Sequence, residues 1–343
     1  MTNRTDVPAA DRELLDLAVG LATRAGNLAR ERFFAGPGEI AVKADGSEVT
    51  AADVAVEELI RAELRTHCPD DEVYGEEAGT TIGASGRRWI VDPIDGTYYF
   101  TRRIPVFATC LAYEDEHGPA IGVVNHPVAE EVLYAGRGLG CWRRAGDEVS
   151  PVRVSSRKQL RGARTGMGNP GTWSDELVAT LHRTVFLSPA GDTPGVLKGE
   201  VDAMVVAGAP MGYEDIAPLP VLLTEAGGRV SDLSGNPVLT GDGTVLAPTA
   251  CCTTSCSRWS RASRTAATGA RSRRSTTEAP KGPGGQSGRC SASASAAAAW
   301  VSVAIVSSRP RWTSSPSASR TLCSETVTRL RPGATSSTCS SPW

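Results

Sequence analysis

The run Trp89-Ile-Val-Asp92-Pro93-Ile94-Asp95-Gly96-Thr97 decides how the rest of the chain is interpreted. Its first half is apolar and predicts a buried strand, and its second half places two carboxylates around Pro-Ile before a Gly-Thr turn. Enzymes built on α/β sheets form their sites at strand ends. Asp92 and Asp95 can therefore converge on a hard cation, and the amides of Gly96 and Thr97 can face a phosphate.

Two further acidic clusters lie at predicted element ends. Gly75-Glu76-Glu77 closes a short strand-like run, and Glu214-Asp215 precedes an apolar helix. Each cluster has a simpler explanation: an Asx-rich turn for the first run, a solvated turn for Glu76 and Glu77, and an ordinary helix N-cap for Asp215. Their joint occurrence favours one shared site.

Apolar spacing predicts a layered α/β protein. A long amphipathic helix is expected within residues 8–34, and a second helix, capped by Thr50 and carrying Asp53 in its first turn, should run to about His67. Strand-like runs then follow: VYGE, RWIVDPI, VFATCLAYE, AIGVVNHP, EEVLYAG and PVRVSS. The second half alternates ELVATLHRTV (helix), AMVVAG (strand) and DIAPLPVLLTEAGG (helix), which completes an α+β layered pattern.

Composition excludes several classes of protein. The chain has 343 residues, 40% apolar and 22% charged, with a net charge of −2, so neither a nucleic-acid binder nor an acidic tail protein is indicated. No run reaches the roughly 18 apolar residues of a membrane span, and the N-terminus lacks the apolar segment of a signal peptide. We expect a cytoplasmic protein with no membrane or nucleic-acid partner. The nine Cys indicate neither a disulfide framework nor a zinc site.

The last 96 residues differ from the rest. Residues 248–343 contain 22 Ser, 15 Ala and 13 Thr and carry a net charge of +11, against −13 for residues 1–247. This composition predicts a disordered tail. A sharper hypothesis is a frameshift near residue 248, because codons compatible with TACCTTSCS can encode RLLHDELLA, an amphipathic helix, when shifted by two bases. On that hypothesis the preceding domain lacks its final strand and helix.

The acidic motifs follow one another in a distinctive order. They are Lys43-Ala-Asp45, Thr50-Ala-Ala-Asp53, Gly75-Glu76-Glu77, Asp92-Pro-Ile-Asp95-Gly-Thr97 and Asp215-Ile-Ala217, the last leading to Glu225-Ala-Gly227-Gly228. In order and spacing they resemble the inositol monophosphatase superfamily of magnesium-dependent, lithium-sensitive phosphatases, which includes histidinol-phosphatases. The resemblance covers residues 8 to about 247. It implies an alternating αβαβα sandwich for a phosphatase domain at 1–247, followed by the tail at 248–343.

The resemblance also implies roles for individual residues. Two or three Mg²⁺ ions would be bound by Glu76, Asp92, Asp95, Asp215 and the main-chain oxygen of Ile94. The catalytic residues would be Asp53, Glu76 and Thr97, of which Asp53 and Thr97 form the pair that holds and deprotonates the attacking water beside Glu76. Phosphate and substrate would contact Asp95, Gly96, Thr97, Asp192 and Asp215. An all-oxygen ligand set suits Mg²⁺ rather than zinc. Lys43 could add positive charge near the phosphate, but as a lone Lys in a loop it is expected to be solvated.

The substrate is expected to be a small polar phosphate monoester, such as histidinol phosphate or inositol phosphate. Ala190-Gly191-Asp192 resembles histidinol-phosphatases, whereas Gly208 stands where inositol-phosphate enzymes commonly carry a Glu. Relatives are often dimers, which implies a homodimer. A second hypothesis is a catalytically weak member that binds phosphorylated ligands or acts as a regulatory partner. It is motivated by the tail, by Gly208, and by Glu214, which replaces the Trp of most relatives.

Overall fold

Two amphipathic helices lie in the first 67 residues. The computed structural model describes residues 7–44, 46–159, 161–168, 173–188, 193–207 and 211–248. Helix α1 spans Arg12–Ala35 and is capped by Asp11, whose carboxylate accepts hydrogen bonds from the first-turn amides. Helix α2 spans Ala51–His67 and begins with a capping box between Thr50 and Asp53. Both predicted helices, and the place of Asp53 in the first turn, are confirmed.

A large antiparallel sheet occupies the middle of the chain. The strands up to residue 151 are β1 Ile40–Val42, β2 Glu48–Thr50, β3 Glu72–Gly75, β4 Gly79–Thr81, β5 Arg88–Asp95, β6 Ala108–Asp115, β7 Gly118–His126, β8 Glu131–Gly136, β9 Gly140–Ala145 and β10 Glu148–Pro151. Strands β1 and β2 form a separate two-stranded hairpin. The other eight pair in the order β10-β9-β8-β7-β6-β5-β3-β4, and within this order β3 and β5 are parallel.

A second, four-stranded sheet follows. The remaining strands are β11 Ala163–Gly168, β12 Val185–Ser188, β13 Ala203–Val206 and β14 Val245–Pro248. The remaining helices are α3 Thr97–Thr101, α4 Asp175–Thr184, α5 Thr193–Leu197, α6 Tyr213–Ile216 and α7 Leu219–Glu225, with a 3-10 helix at Val238–Thr240. Strand β11 is parallel to both of its neighbours in the order β12-β11-β13-β14, and β14 is antiparallel to β13.

The apolar side chains form successive layers between these elements. Helices α1 and α2 pack on one face of the large sheet through residues such as Ile60 and Trp89. On the opposite face α7 packs against β7, β8 and β9, and α5 connects α7 to β13 of the second sheet, with Leu133 and Leu222 in the same core. Helix α4 covers the other face of the second sheet, where Leu181 is fully buried. The layers therefore alternate αβαβα, as predicted.

Two predicted elements are wrong in detail. Only Pro151 of the PVRVSS run belongs to a strand; after it, Val152 N donates to Cys141 O and Val154 N to Ala226 O, so the segment bonds to two different elements. The DIAPLPVLLTEAGG run is split into α6 and α7 rather than being one helix. Proline lacks an amide and its ring clashes with the carbonyl four residues earlier, so Pro218 ends the first helix and caps the second.

Several predictions fall outside the described residues. These concern Asp45, Asp192, Gly208 and the segment 249–343. In the part of the chain that the structure describes, no helix combines the length and apolar character required to cross a bilayer.

Candidate active site

The last four residues of β5 carry two carboxylates at the end of a buried strand, Asp92 and Asp95. The β5–β6 register shifts between Asp92 and Asp95, which is a bulge that interrupts the regular ladder. The Thr109 hydroxyl donates to the Pro93 carbonyl at 2.9 Å across this bulge. Gly96 then adopts φ +88°, a left-handed conformation that glycine reaches without strain, and the chain turns at once into α3.

Asp92 is buried without a hydrogen-bond donor. Its side chain is 1% exposed, and neither carboxylate oxygen accepts a hydrogen bond from any residue in the described ranges. Burial, followed by the negative charges of Asp95, Asp215 and Glu76, raises its pKa well above the ordinary range. The Asp92 carboxyl also lies against that of Asp215, which carries no donor when ionised. A buried carboxylate to which no described residue donates is costly, and a bound cation would supply the positive partner. The neighbouring side chains of Asp95, Asp215 and Glu76 would offer carboxylate oxygens to a metal ion, and such oxygens are ligands that Mg²⁺ prefers.

A thiol lies beside these two carboxylates. Cys110 is paired with Asp92 in the β5–β6 register, and its Sγ lies 3.9 Å from Asp95 Oδ2. One ligand atom from each of Asp92, Asp95 and Cys110 falls within 4.8 Å of the others. Burial, and then the charges of Asp95 and Asp92, raise the pKa of the Cys110 thiol. The sequence analysis missed this residue, although the strand prediction placed it in VFATCLAYE.

The first turn of α2 is joined directly to the turn after β5. Thr97 Oγ1 lies 3.1 Å from Asp53 Oδ1 and 3.0 Å from the carbonyl oxygen of Ile94. The other oxygen of Asp53 accepts hydrogen bonds from Thr50 N at 2.8 Å and from Thr50 Oγ1 at 2.5 Å. Burial raises the pKa of Asp53, against the effect of these hydrogen bonds. The predicted pair of Asp53 and Thr97 is therefore in contact.

The turn after β3 carries a paired cluster of charges. Lys43 Nζ donates to Glu76 Oε1 at 2.7 Å and to Glu77 Oε1 at 2.8 Å. Burial lowers the pKa of Lys43, but the hydrogen bonds and charges of the two glutamates outweigh it and raise that pKa. Burial raises the pKa of Glu77 to about 7, despite its bond to Lys43. The prediction that Lys43 is simply solvated was wrong, because the β1–β2 hairpin brings it to these carboxylates.

A buried ion pair on α2 holds this turn in place. Glu57 Oε1 accepts from Arg61 Nε at 2.7 Å, and the two carboxylate oxygens also accept from Glu77 N at 2.8 Å and Ala78 N at 3.1 Å. A Cβ at Gly75 would lie 2.3 Å from Glu57 Oε1, so any larger residue at this position would push the Glu57 carboxylate out of its place. The sequence analysis missed the pair. Its signal was an i,i+4 Glu–Arg pair within the apolar face of α2.

We expect Glu57→Gln to destabilise the protein and to lower turnover. Removing one charge leaves Arg61 buried without its partner, which costs about 3–5 kcal/mol, and the turn carrying Glu76 loses part of its anchor. Urea unfolding and phosphate release measure the two effects. Glu58→Gln, an exposed position on the same helix, is the matched control. Equal stability of the two variants would show that the buried pair does not hold the turn.

The last acidic residue reaches the cluster from the other side of the sheet. Asp215 lies in α6, and its Oδ2 accepts from Gly212 N at 2.8 Å. Burial raises the pKa of Asp215 to about 6, with a contribution from the charges of Glu214 and Glu76, although hydrogen bonds with the Asp92 carboxyl and from Gly212 N oppose the rise. The neighbouring Glu214 accepts a hydrogen bond from the Tyr74 hydroxyl at 3.2 Å. Asp215 thus joins the carboxylates around Asp92, while Glu214 is held against β3.

Most of the predicted site residues are close to one another. Helix α2, the turns after β3 and β5, and helix α6 contribute Asp53, Glu76, Asp92, Ile94, Asp95, Gly96, Thr97 and Asp215. The remaining predicted residue, Asp192, is among those that the structure does not describe. The arrangement combines four carboxylates, a main-chain carbonyl and a carboxylate–hydroxyl pair, which can hold hard cations and activate a water molecule.

Comparison with known proteins gives consistent matches. The sequence model of the inositol monophosphatase family matches residues 10–274. A histidinol-phosphatase of Mycobacterium tuberculosis is 38% identical over 231 residues, covering 64% of this chain and 88% of the relative. An inositol-1-monophosphatase of Mesorhizobium japonicum is 32% identical over 247 residues, covering 68% and 91% respectively. Among solved structures, a Thermotoga maritima IMPase superposes with a TM-score of 0.64 at 26% identity, covering 73% of this chain and 97% of that one.

Proposed function

Because the chain belongs to the inositol monophosphatase family, we propose that it is a Mg²⁺-dependent phosphomonoesterase that hydrolyses a small polar metabolite phosphate by attack of water. The observation that carries this proposal is Asp92, a buried carboxylate at the end of β5 to which none of the described residues donates a hydrogen bond. The family and its named phosphatase relatives support phosphomonoester hydrolysis. The oxygen-rich cluster supports Mg²⁺ as the cation.

The residues that would hold the metal ions lie on three parts of the fold. They are Glu76, Asp92, Asp95, Asp215 and the carbonyl oxygen of Ile94. Bound Mg²⁺ polarises the phosphate, stabilises the leaving oxygen and lowers the pKa of coordinated water. The side chain of Asp92 is already desolvated by burial, so cation binding relieves a cost that the folded chain otherwise bears.

Asp53 and Thr97 would orient and deprotonate the attacking water. The Asp53 carboxylate is fixed on one side by Thr50 and on the other by Thr97, so it does not need to reorganise during the reaction. Thr97 Oγ1 also lies against the Ile94 carbonyl, which fixes the position of the hydroxyl. A water held by this pair would pass its proton to Asp53 Oδ1, beside Glu76.

We propose histidinol phosphate as the first substrate to test, with inositol phosphate as the alternative. A histidinol-phosphatase shares 38% identity with this chain, against 32% for an inositol-1-monophosphatase. Both substrates are phosphate monoesters of small polar alcohols. The shared chemistry of the site therefore serves either one, and the parts of the chain that recognise the alcohol decide between them.

Phosphate release from a panel of monoesters tests the proposal. We expect turnover that is lost after EDTA treatment and restored by Mg²⁺, with histidinol phosphate hydrolysed faster than inositol phosphate. Each assay needs a metal-free sample whose fold is checked by circular dichroism. A folded protein that binds Mg²⁺ but releases no phosphate from any monoester would support the second hypothesis, a binding or regulatory member of the family.

Lithium is expected to inhibit this activity at millimolar concentrations. A cluster of carboxylates that binds a small hard cation beside phosphate can also bind Li⁺, which would hinder product release. Initial rates at fixed Mg²⁺ and increasing LiCl measure the effect, and KCl at equal ionic strength is the control. Equal rates in the two salts would place this chain outside the lithium-sensitive members.

A further inference from the structure

The hydrolysis proposed above leaves one group of the site without a role, the thiol of Cys110. This residue is 2% exposed and lies on β6 directly opposite Asp92. Its sulfur is 3.9 Å from Asp95 Oδ2, and it forms a three-ligand group with the two aspartates. Cys110 belongs to the apolar core that contains Val124 and Leu133, but its thiol also donates to Asp95 and borders Asp92, so it contacts two carboxylates as well as apolar neighbours.

The distances suit simultaneous ligation of one ion. Metal–sulfur bonds of about 2.3 Å and metal–oxygen bonds of about 2.0–2.2 Å allow a sulfur and an oxygen that bind the same ion to lie up to about 4.5 Å apart. The separation of 3.9 Å between Cys110 Sγ and Asp95 Oδ2 meets this limit. Independently of the thiol, both oxygens of Asp92 are buried without a donor among the described residues, which points to a missing cation.

We propose that Cys110 serves as a third ligand, with Asp92 and Asp95, for soft divalent ions such as Cd²⁺ and Zn²⁺, which displace Mg²⁺ and inhibit the enzyme. The proposal rests on the proposed function, because it uses the same two carboxylates. On binding, the sulfur gives an electron pair to the ion and the thiol proton passes to solvent, with no change of oxidation state.

The chemistry of the ligands explains why this ligation would be selective. Mg²⁺ prefers oxygen and would gain little from sulfur, whereas Cd²⁺ and Zn²⁺ bind thiolate strongly. The same cluster therefore offers oxygen ligands alone to Mg²⁺, and oxygen ligands together with the sulfur of Cys110 to Cd²⁺ or Zn²⁺. The sulfur would lengthen the residence of a soft ion at Asp92 and Asp95, so trace amounts of such ions would block turnover.

Absorption spectroscopy of the metal-free full chain tests the ligation without using turnover. Titration with CdCl₂ should produce a thiolate-to-cadmium charge-transfer band in the ultraviolet, part of which excess Mg²⁺ removes. We expect the Mg²⁺-sensitive part to be absent in Cys110→Ser and retained in Cys141→Ser, a matched control because Cys141 is 3% exposed on β9 of the same sheet. Thiols elsewhere in the chain contribute equally to all three proteins.

Equilibrium dialysis gives the size of the effect. At the site where Cd²⁺ and Mg²⁺ compete, the ratio of Cd²⁺ affinity to Mg²⁺ affinity should fall by about 10- to 100-fold in Cys110→Ser. This is the size of effect that the loss of a residue supporting a metal site usually has. Cys110→Ala should show the same fall, which covers the case in which one of the variants does not fold. Retention of the Mg²⁺-sensitive band or of the affinity ratio in a folded Cys110 variant would overturn the proposal.

The two proposals fail in different ways. Phosphate release that depends on Mg²⁺, without a Mg²⁺-sensitive cadmium band in the wild-type protein, would overturn the role of Cys110 and leave the proposed function intact. A band that depends on Cys110 in a protein that releases no phosphate would support the ligation and overturn the hydrolysis. In the active enzyme, a Cd²⁺ concentration for half-inhibition that is equal in Cys110→Ser and the wild type would contradict the inhibitory role.

Discussion

Asp92→Asn should lower phosphate release by about 10³-fold or more while leaving the fold intact. The substitution removes one of the four carboxylates proposed to hold the metal ions, next to Glu76, Asp95 and Asp215. A group that stabilises charge in the transition state typically contributes a factor of about 10²–10³ to the rate. In the metal-free protein it also relieves repulsion with Asp95 and Asp215, so the metal-free melting temperature should stay equal or rise. Mg²⁺ should then raise the melting temperature less than it does in the wild type, because ligand binding to the native state is weakened.

Asp71→Asn is the matched control for Asp92→Asn. Asp71 is also buried, but its carboxylate accepts from Ser85 Oγ at 2.7 Å and from Arg87 Nε at 3.2 Å, so it is fully partnered. We expect the opposite pattern, a lower melting temperature with turnover retained. Calorimetry and initial rates distinguish the two variants. Wild-type turnover in Asp92→Asn would remove this residue from the metal ligands.

Asp53→Asn should lower the rate of the chemical step by about 10²- to 10⁴-fold, the usual contribution of a general base. The asparagine amide cannot accept the proton of water as a carboxylate does. It also has a single oxygen, whereas Asp53 uses one oxygen to accept from Thr50 and the other to accept from Thr97. Single-turnover phosphate release measures the chemical step, and the effect should fall on kcat rather than on KM.

Thr50→Ala separates catalysis from helix capping in this test. It removes the capping hydroxyl of α2 and should cost about 1 kcal/mol of stability, while the carboxylate of Asp53 stays in place. Its loss of turnover should therefore be much smaller than that of Asp53→Asn. If both variants lost the same activity, Asp53 would act by capping α2 and not as a base.

Helices and strands that are specified by residues close together in the chain could be predicted from the sequence. The capping box of Thr50 and Asp53 and the apolar run of β5 are encoded within a few residues, and the structure contains both. Local patterns were insufficient where a long-range contact competes with them. The PVRVSS run alternates like a strand, but Val154 bonds to Ala226, far away in the chain.

The roles of single polar residues were harder to predict for the same reason. Lys43 in a loop has the pattern of a solvated side chain, and only the hairpin formed by β1 and β2 brings its ammonium group between Glu76 and Glu77. The buried Glu57–Arg61 pair resembles an ordinary surface pair of a helix. Its importance depends on the turn that packs over it, and that turn is set by the pairing of β3 with β5.

By itself, the sequence predicted helices α1, α2 and α4, most strands of the large sheet and, by resemblance, the αβαβα class, because periodicity, caps and short motifs act over a few positions. Only the tertiary structure decided that no described residue donates to the buried Asp92, that Cys110 lies beside it, and that Asp215 reaches it from another layer. Burial and electrostatic coupling depend on distances in space between residues that are far apart in the chain, and a pattern along the chain does not contain those distances.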